Sequence, residues 1–120
     1  MRVRYVVLYV TDAEACRRFW VERVGMVEKH RQEIGDFSVV QVGFADQPFA
    51  FELVPIALMA DNPDGLDLAT PSIALHADDL EAARAQLLER GVTVTEIGDH
   101  GGVASFAFSD PEDRWFAVTS

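Results

Sequence analysis

Val10-Thr11-Asp12-Ala13-Glu14-Ala15 is echoed later in the chain by Ala77-Asp78-Asp79-Leu80-Glu81-Ala82, and the two stretches align at a constant offset. Each closes a short β-rich run and opens a helical pattern. Ahead of the first lies Val3 to Val10; behind it, apolar residues recur at Cys16, Phe19, Trp20 and Val24, along one helical face, until Gly25 offers a left-handed stop. Ahead of the second lies Ser72 to Ala77; behind it, Leu80, Ala83, Leu87 and Leu88 mark a helical face that stops at Gly91. Thr11 with Glu14, and Asp78 with Glu81, have the spacing of reciprocal helix caps.

Outward from these two units the pattern continues in parallel. Three β-like segments follow the first helix, at Met26 to Glu33, Phe37 to Phe44 and Phe49 to Val54, separated by Ile34-Gly35-Asp36 and Ala45-Asp46-Gln47-Pro48. Three follow the second, at Val92 to Ile97, Val103 to Phe108 and Trp115 to Thr119. The stretch Ile56 to Thr70, with Asn62-Pro63-Asp64-Gly65, has no period and reads as a connecting loop, long enough for a hinge or lid. The expected fold is therefore α+β: one domain over residues 1–120, with βαβββ halves at 1–55 and 71–120 and a loop at 56–70. Each half covers one sheet face with its helix, so the expected architecture is an open, cup-like mixed sheet with the helices outside and the bare faces enclosing a shared cup.

Strand alternation assigns the linings. Val6, Leu8 and Val10 go to the helix, and Tyr5, Val7 and Tyr9 to the other face; Phe49, Phe51 and Leu53 separate likewise from Ala50, Glu52 and Val54. In the second half Ile73, Leu75 and Ala77 separate from Ser72, Ala74 and His76, and Phe116 and Val118 from Trp115, Ala117 and Thr119. The face away from the helices thus gathers Tyr5, Tyr9, Glu52, Ser72, His76 and Trp115, an aromatic lining with a carboxylate, a hydroxyl and an imidazole. Such a set suits a planar small molecule.

Composition narrows the partners. Twenty acidic against ten basic side chains give a formal charge of -10, which repels nucleic acid and favours neutral or cationic ligands, besides keeping a small protein in solution. The single cysteine, Cys16, excludes an intramolecular disulfide and falls on the packed helix face as an inert thiol. No signal-peptide pattern occupies Met1 to Val10, and no apolar run reaches membrane-spanning length, so a cytoplasmic protein without a membrane partner is expected. Arginine outnumbers lysine nine to one, a bias that accompanies GC-rich bacterial genomes.

The segments Tyr5 to Asp12, Phe19-Trp20, Gly25-Met26, Phe51 to Val54, Ser72 to Leu80 and Asp110 to Phe116 together make the chain resemble the vicinal oxygen chelate superfamily of glyoxalases, bleomycin-resistance proteins and extradiol dioxygenases. The resemblance implies four metal-ligand positions, which fall on Tyr5, Glu52, Ser72 and Ala117. Only Glu52 is a good ligand, and a divalent ion needs several convergent donors, so no metal and no cofactor is expected. His30 and His100 lie in polar or glycine-rich surroundings and read as solvated. His76 sits about 13 Å along the strand from Ser72 and cannot replace it. Asp113 and Arg114 stand where the family usually has glycine and asparagine.

The reading that follows is a metal-independent protein that sequesters an aromatic or cationic small molecule, in the manner of the antibiotic-binding bleomycin-resistance branch, rather than an enzyme. Its competitors are a metal-dependent glyoxalase-like lyase, isomerase or dioxygenase built around Glu52, and a metal-free enzyme with His76 or Glu52 as general base. The resemblance also implies a homodimer, since this superfamily often completes its cups by pairing protomers.

Overall fold

The computed structural model describes residues 3–62 and 65–120. Met1, Arg2, Pro63 and Asp64 lie outside that description, and with them part of the turn read at Asn62 to Gly65; so does the side chain of His100. The chain divides into two compact units, Met1–Thr70 and Pro71–Ser120.

In the first unit, strand β1 (Tyr5–Val10) leads into helix α1 (Ala13–Arg18), which continues as a wider π-helical stretch over Phe19–Val24 and ends on left-handed Gly25 (φ 99°). Strands β2 (Val27–Ile34), β3 (Phe37–Gly43) and β4 (Ala50–Pro55) follow, then a 3-10 turn at Ile56–Met59 within the stretch expected to be plain loop. The sheet order is β1-β4-β3-β2, with β1 and β4 parallel and the other pairs antiparallel. The second unit repeats this order as β5-β8-β7-β6, built from β5 (Ala74–His76), helix α2 (Leu80–Glu89), β6 (Gly98–His100), β7 (Val103–Ser109) and β8 (Trp115–Thr119). Two four-stranded mixed sheets of one topology, neither closed, make this the expected α+β class.

The caps sit one residue later than the spacing predicts. Asp12, not Thr11, accepts the Ala15 N–H at 3.0 Å, and Asp79, not Asp78, accepts that of Ala82 at 3.0 Å. Both are extended residues whose short carboxylates reach the first turn, which the backbone leaves without partners.

Alternation sorts each sheet as expected. Leu8, Val10, Val40, Val42, Phe51 and Leu53 are buried on the side of α1, together with Cys16, Phe19 and Trp20. Trp20 meets Phe19 and Phe51 edge to face, at centroid distances of 5.3 and 5.0 Å. In the second unit Phe106, Phe108, Phe116 and Val118 are buried with Leu80, Leu87 and Val92, and Phe108 stacks on Phe116 at 5.6 Å. Leu88, expected on the packed face, is exposed.

Three strands depart from expectation. Residues 92–97 do not form a strand: Val94 makes an isolated bridge to Phe108, and the ladder strand β6 comes later. The cause is local. Thr95 Oγ1 takes the Ala107 N–H at 2.9 Å in place of a ladder carbonyl, while Arg84 Nε donates to the Thr95 carbonyl at 2.7 Å. Strand β5 is shorter than Ser72 to Ala77, so Ser72 precedes the ladder. The first backbone link there is from Ala117 N–H to the Ile73 carbonyl at 3.1 Å.

The third departure is a bulge in β2. Glu28 is paired with Val42 and His30 with Gln41, so Lys29 is the extra residue. This shifts parity from that point onward. Arg31 consequently faces α1, where it pairs with Glu14 at 2.7 Å while also holding Glu28 at 2.8 Å. Burial would raise the Glu14 carboxyl, but hydrogen bonds from Arg31 and Arg17 outweigh it and hold the group below its ordinary value. Lys29 Nζ meanwhile donates to the carbonyls of Gln47 and Phe49, which brings that loop against Gly43. A Cβ at Gly43 would sit 2.5 Å from the Phe49 carbonyl and 3.0 Å from Lys29 Cε. Gly43→Ala is therefore expected to cost about 1–3 kcal/mol, measured by denaturant unfolding; an unchanged midpoint would show that the loop yields freely.

Candidate functional site

In each unit the candidate residues on the strands lie on the sheet face turned away from the helix. Directly opposed residues of paired strands project to the same side, so the register reads that face row by row. In the first sheet one row runs Val7, Glu52, Gln41, His30 across β1, β4, β3 and β2. Tyr5 and Tyr9 share the face of Val7 along β1, opposite Ala50 and Val54. Glu52 and Gln41 are half-buried, and Gln41 Nε2 donates to Glu52 Oε1 at 3.1 Å.

The second sheet presents a different surface. Ala74, Ala117 and Ala107 form one row; His76, Thr119, Ser105 and Gly98 form the next; Trp115 lies opposite Ser109. It is a floor of small side chains with an indole at one end and an imidazole at the other. Trp115 is 52% exposed, and exposed His76 shares a 2.9 Å hydrogen bond between Nε2 and Asp78 Oδ1.

The structure thus brings Tyr5, Tyr9 and Glu52 together on one face of the first sheet. His76 and Trp115 lie on one face of the second, at opposite ends of β8, and Ser72 stands before the ladder. Gln41 escaped the sequence reading; His30, read as solvated, is exposed, and its place in this row was not foreseen. Gln41 could have been found, as the one polar residue within Val39 to Val42 on a strand of known parity. The face of His30 could not, because only the bulge at Lys29 turns it to the side of Glu52.

The residues at the metal-ligand positions implied by the resemblance do not fit a divalent ion. Ala117 brings a methyl group whose direct neighbours, Ala74 and Ala107, are methyl groups too, and one Glu52 oxygen is taken by Gln41. Among the described residues no group of three or more His, Cys, Asp or Glu is placed to hold a metal.

A cleft of about 280 Å³ lies elsewhere on the first unit, lined by Asp12, Glu14, Asp36 and Phe37 among others. Its Asp12 carboxylate is committed to capping and Glu14 to Arg17 and Arg31. No helix among the described residues is long and apolar enough to cross a membrane.

Paired βαβββ units, each with a bare sheet face, define the scaffold of the glyoxalase, bleomycin-resistance and dioxygenase superfamily. The glyoxalase-like domain family matches residues 5–119, and the chain belongs to that family. Among solved structures it is similar to TnmS3, an antibiotic-binding protein from Streptomyces sp. CB03234, with 24% identity, a TM-score of 0.80, and 99% of this chain and 94% of that one covered. A superfamily member from Sphaerobacter thermophilus DSM 20745 has 23% identity and a TM-score of 0.81 over 99% and 96% of the two chains. A glyoxalase/bleomycin resistance protein, also from Streptomyces sp. CB03234, has 24% identity and a TM-score of 0.73 over 97% of both. At these identities the likeness speaks for the fold. No curated protein matches the chain.

Proposed function

We propose that this protein binds an aromatic small molecule, without metal and without chemistry, on the bare sheet face that carries Tyr5, Tyr9 and Glu52, with His76 and Trp115 on the second sheet and Ser72 just ahead of it as further candidate contacts. The observation that carries the reading is the first sheet, where two tyrosines share a face with a half-buried carboxylate. Aromatic stacking contributes about 0.5–1.5 kcal/mol per well-placed pair, and the carboxylate favours a cationic substituent. A fold neighbour described as an antibiotic-binding protein supports sequestration of an antibiotic-like compound as the role. Homodimerisation belongs to the same proposal and is supported by exposed Ile34, Phe37 and Val103.

The test is thermal unfolding against planar aromatic compounds such as proflavine, acridine orange and anthraquinone. A ligand at one hundred times its Kd should stabilise the fold by about 2.7 kcal/mol, a rise in Tm on the order of 10 °C for a chain of this size. Tyr5→Ala and Trp115→Ala should each reduce that rise. No shift with any compound at millimolar concentration would overturn the reading. The surviving Glu52 keeps a metal-dependent glyoxalase-like reaction as the competing reading; stoichiometric divalent metal in the purified protein, with turnover of hemithioacetals or catechols, would establish it instead.

A further inference from the structure

We propose that Gln41 and Glu52 form an acceptor fork that selects ligands bearing a planar cation with two N–H donors, an amidinium or guanidinium group. This rests on the binding reading above and specifies the chemistry of the ligand's polar end.

The register places the two side chains directly opposite each other on the bare face of the first sheet. Gln41 Nε2 donates to Glu52 Oε1 at 3.1 Å, and that bond fixes the amide: turned over, it would set oxygen against oxygen. What the pair presents outward is then acceptor and acceptor, the amide oxygen of Gln41 and Oε2 of Glu52. Val7, the other direct neighbour of Glu52, has nothing to donate, and no bond links Tyr5 or Tyr9 to Glu52. Of the basic residues of β2, Arg31 is engaged with Glu14 and Glu28 and Lys29 with the carbonyls of Gln47 and Phe49, while His30, opposite Gln41 in the same row, is exposed and makes no hydrogen bond to the pair. Glu52 is therefore a half-buried carboxylate whose in-chain donor is a neutral amide, and an incoming cation gains both its charge and its second oxygen. A planar group with N–H donors on two atoms satisfies both acceptors at once. A carboxylate ligand would meet like charge, a carboxamide would bring an acceptor against an acceptor, and a primary ammonium offers a point charge without the fork.

Calorimetric titration of the full chain with four probes on one aromatic scaffold tests this: 2-naphthamidine, 2-naphthylmethylammonium, 2-naphthamide and 2-naphthoate. The amidine should bind at least about tenfold tighter than the amide, with the naphthoate weakest. Glu52→Gln should bring amidine and amide within about threefold of each other. Gln41→Leu removes the amide acceptor and frees Oε1 of Glu52, so the amidine-to-ammonium ratio should change by at least about threefold, a split that a general loss of structure would not produce. Circular dichroism and Tm establish that both variants are folded. Equal affinity of amidine, amide and naphthoate for the unaltered protein would overturn the fork and leave aromatic binding standing. An amidine-to-ammonium ratio unchanged in Gln41→Leu would overturn it as well. Failure of all four probes to bind would overturn the fork and the binding reading together.

Discussion

Trp20→Ala is expected to destabilise the protein by about 3–5 kcal/mol, enough to lower Tm by roughly 12–20 °C or to prevent folding at 37 °C. The indole is completely buried, and it touches Phe19 on its own helix and Phe51 on β4 edge to face. Truncation removes the largest buried side chain of the first unit and opens a cavity at the point where helix and sheet meet. The π-helical stretch Phe19–Val24, which places Phe19 and Trp20 together on the buried side, leaves little freedom for collapse around the loss. Denaturant titration checks the figure; a loss below about 1 kcal/mol would mean that the sheet can close over the gap.

The second large effect belongs to Asp110, the buried acid at the turn between β7 and β8. It is 5% exposed, and its Oδ1 accepts the N–H groups of Glu112 and Arg114 at 3.0 and 2.9 Å. Asp110→Ala strands both donors and should cost about 2–4 kcal/mol at every pH, at roughly 1–2 kcal/mol for each orphaned group. Asp110→Asn keeps the acceptor oxygen and should behave differently. Burial pushes the Asp110 carboxyl above its ordinary value of 3.8, against the pull of the backbone hydrogen bonds from Arg114 and Glu112. A carboxyl raised in the folded state contributes stability that is complete below 3.8 and declines as pH rises through the folded value. Wild type and Asp110→Asn should therefore match in acid, and the asparagine variant should be equal or more stable at pH 7. An asparagine variant as damaged as the alanine one would show that the negative charge itself is required.

Much of this architecture was legible because the repeat is written in residues with strong local meaning. The glycine at position 25 and the alternation of Tyr5 to Val10 each dictate one conformation, and the structure shows both. Cap identity was less legible, since Thr11 and Asp12, or Asp78 and Asp79, are chemically competent neighbours and only backbone geometry selects the second of each pair. Residues 92–97 failed for a different reason. Their β-branched pattern is that of a strand, but a threonine hydroxyl occupies the ladder bond that a strand would need. At the candidate site, face assignment from parity held for β1, β4 and β8; in β2, for which none was made, one inserted residue reverses inside and outside. The Gln41 to Glu52 hydrogen bond joins residues from separate strands, which spacing along the chain does not reveal.

The alternation along β4, β7 and β8 has an evolutionary consequence. Residues that hold the helices and residues that meet the bare face are different atoms on the same strands, as with Leu53 beside Glu52 and Phe116 beside Ala117. Replacing half-buried Ala107 or Ala117 with a bulkier residue would reshape that floor while leaving the phenylalanines on the other face in place. Selection can thus alter that surface without reopening the problem of how the polypeptide folds, and one set of positions could diversify while the other stays fixed.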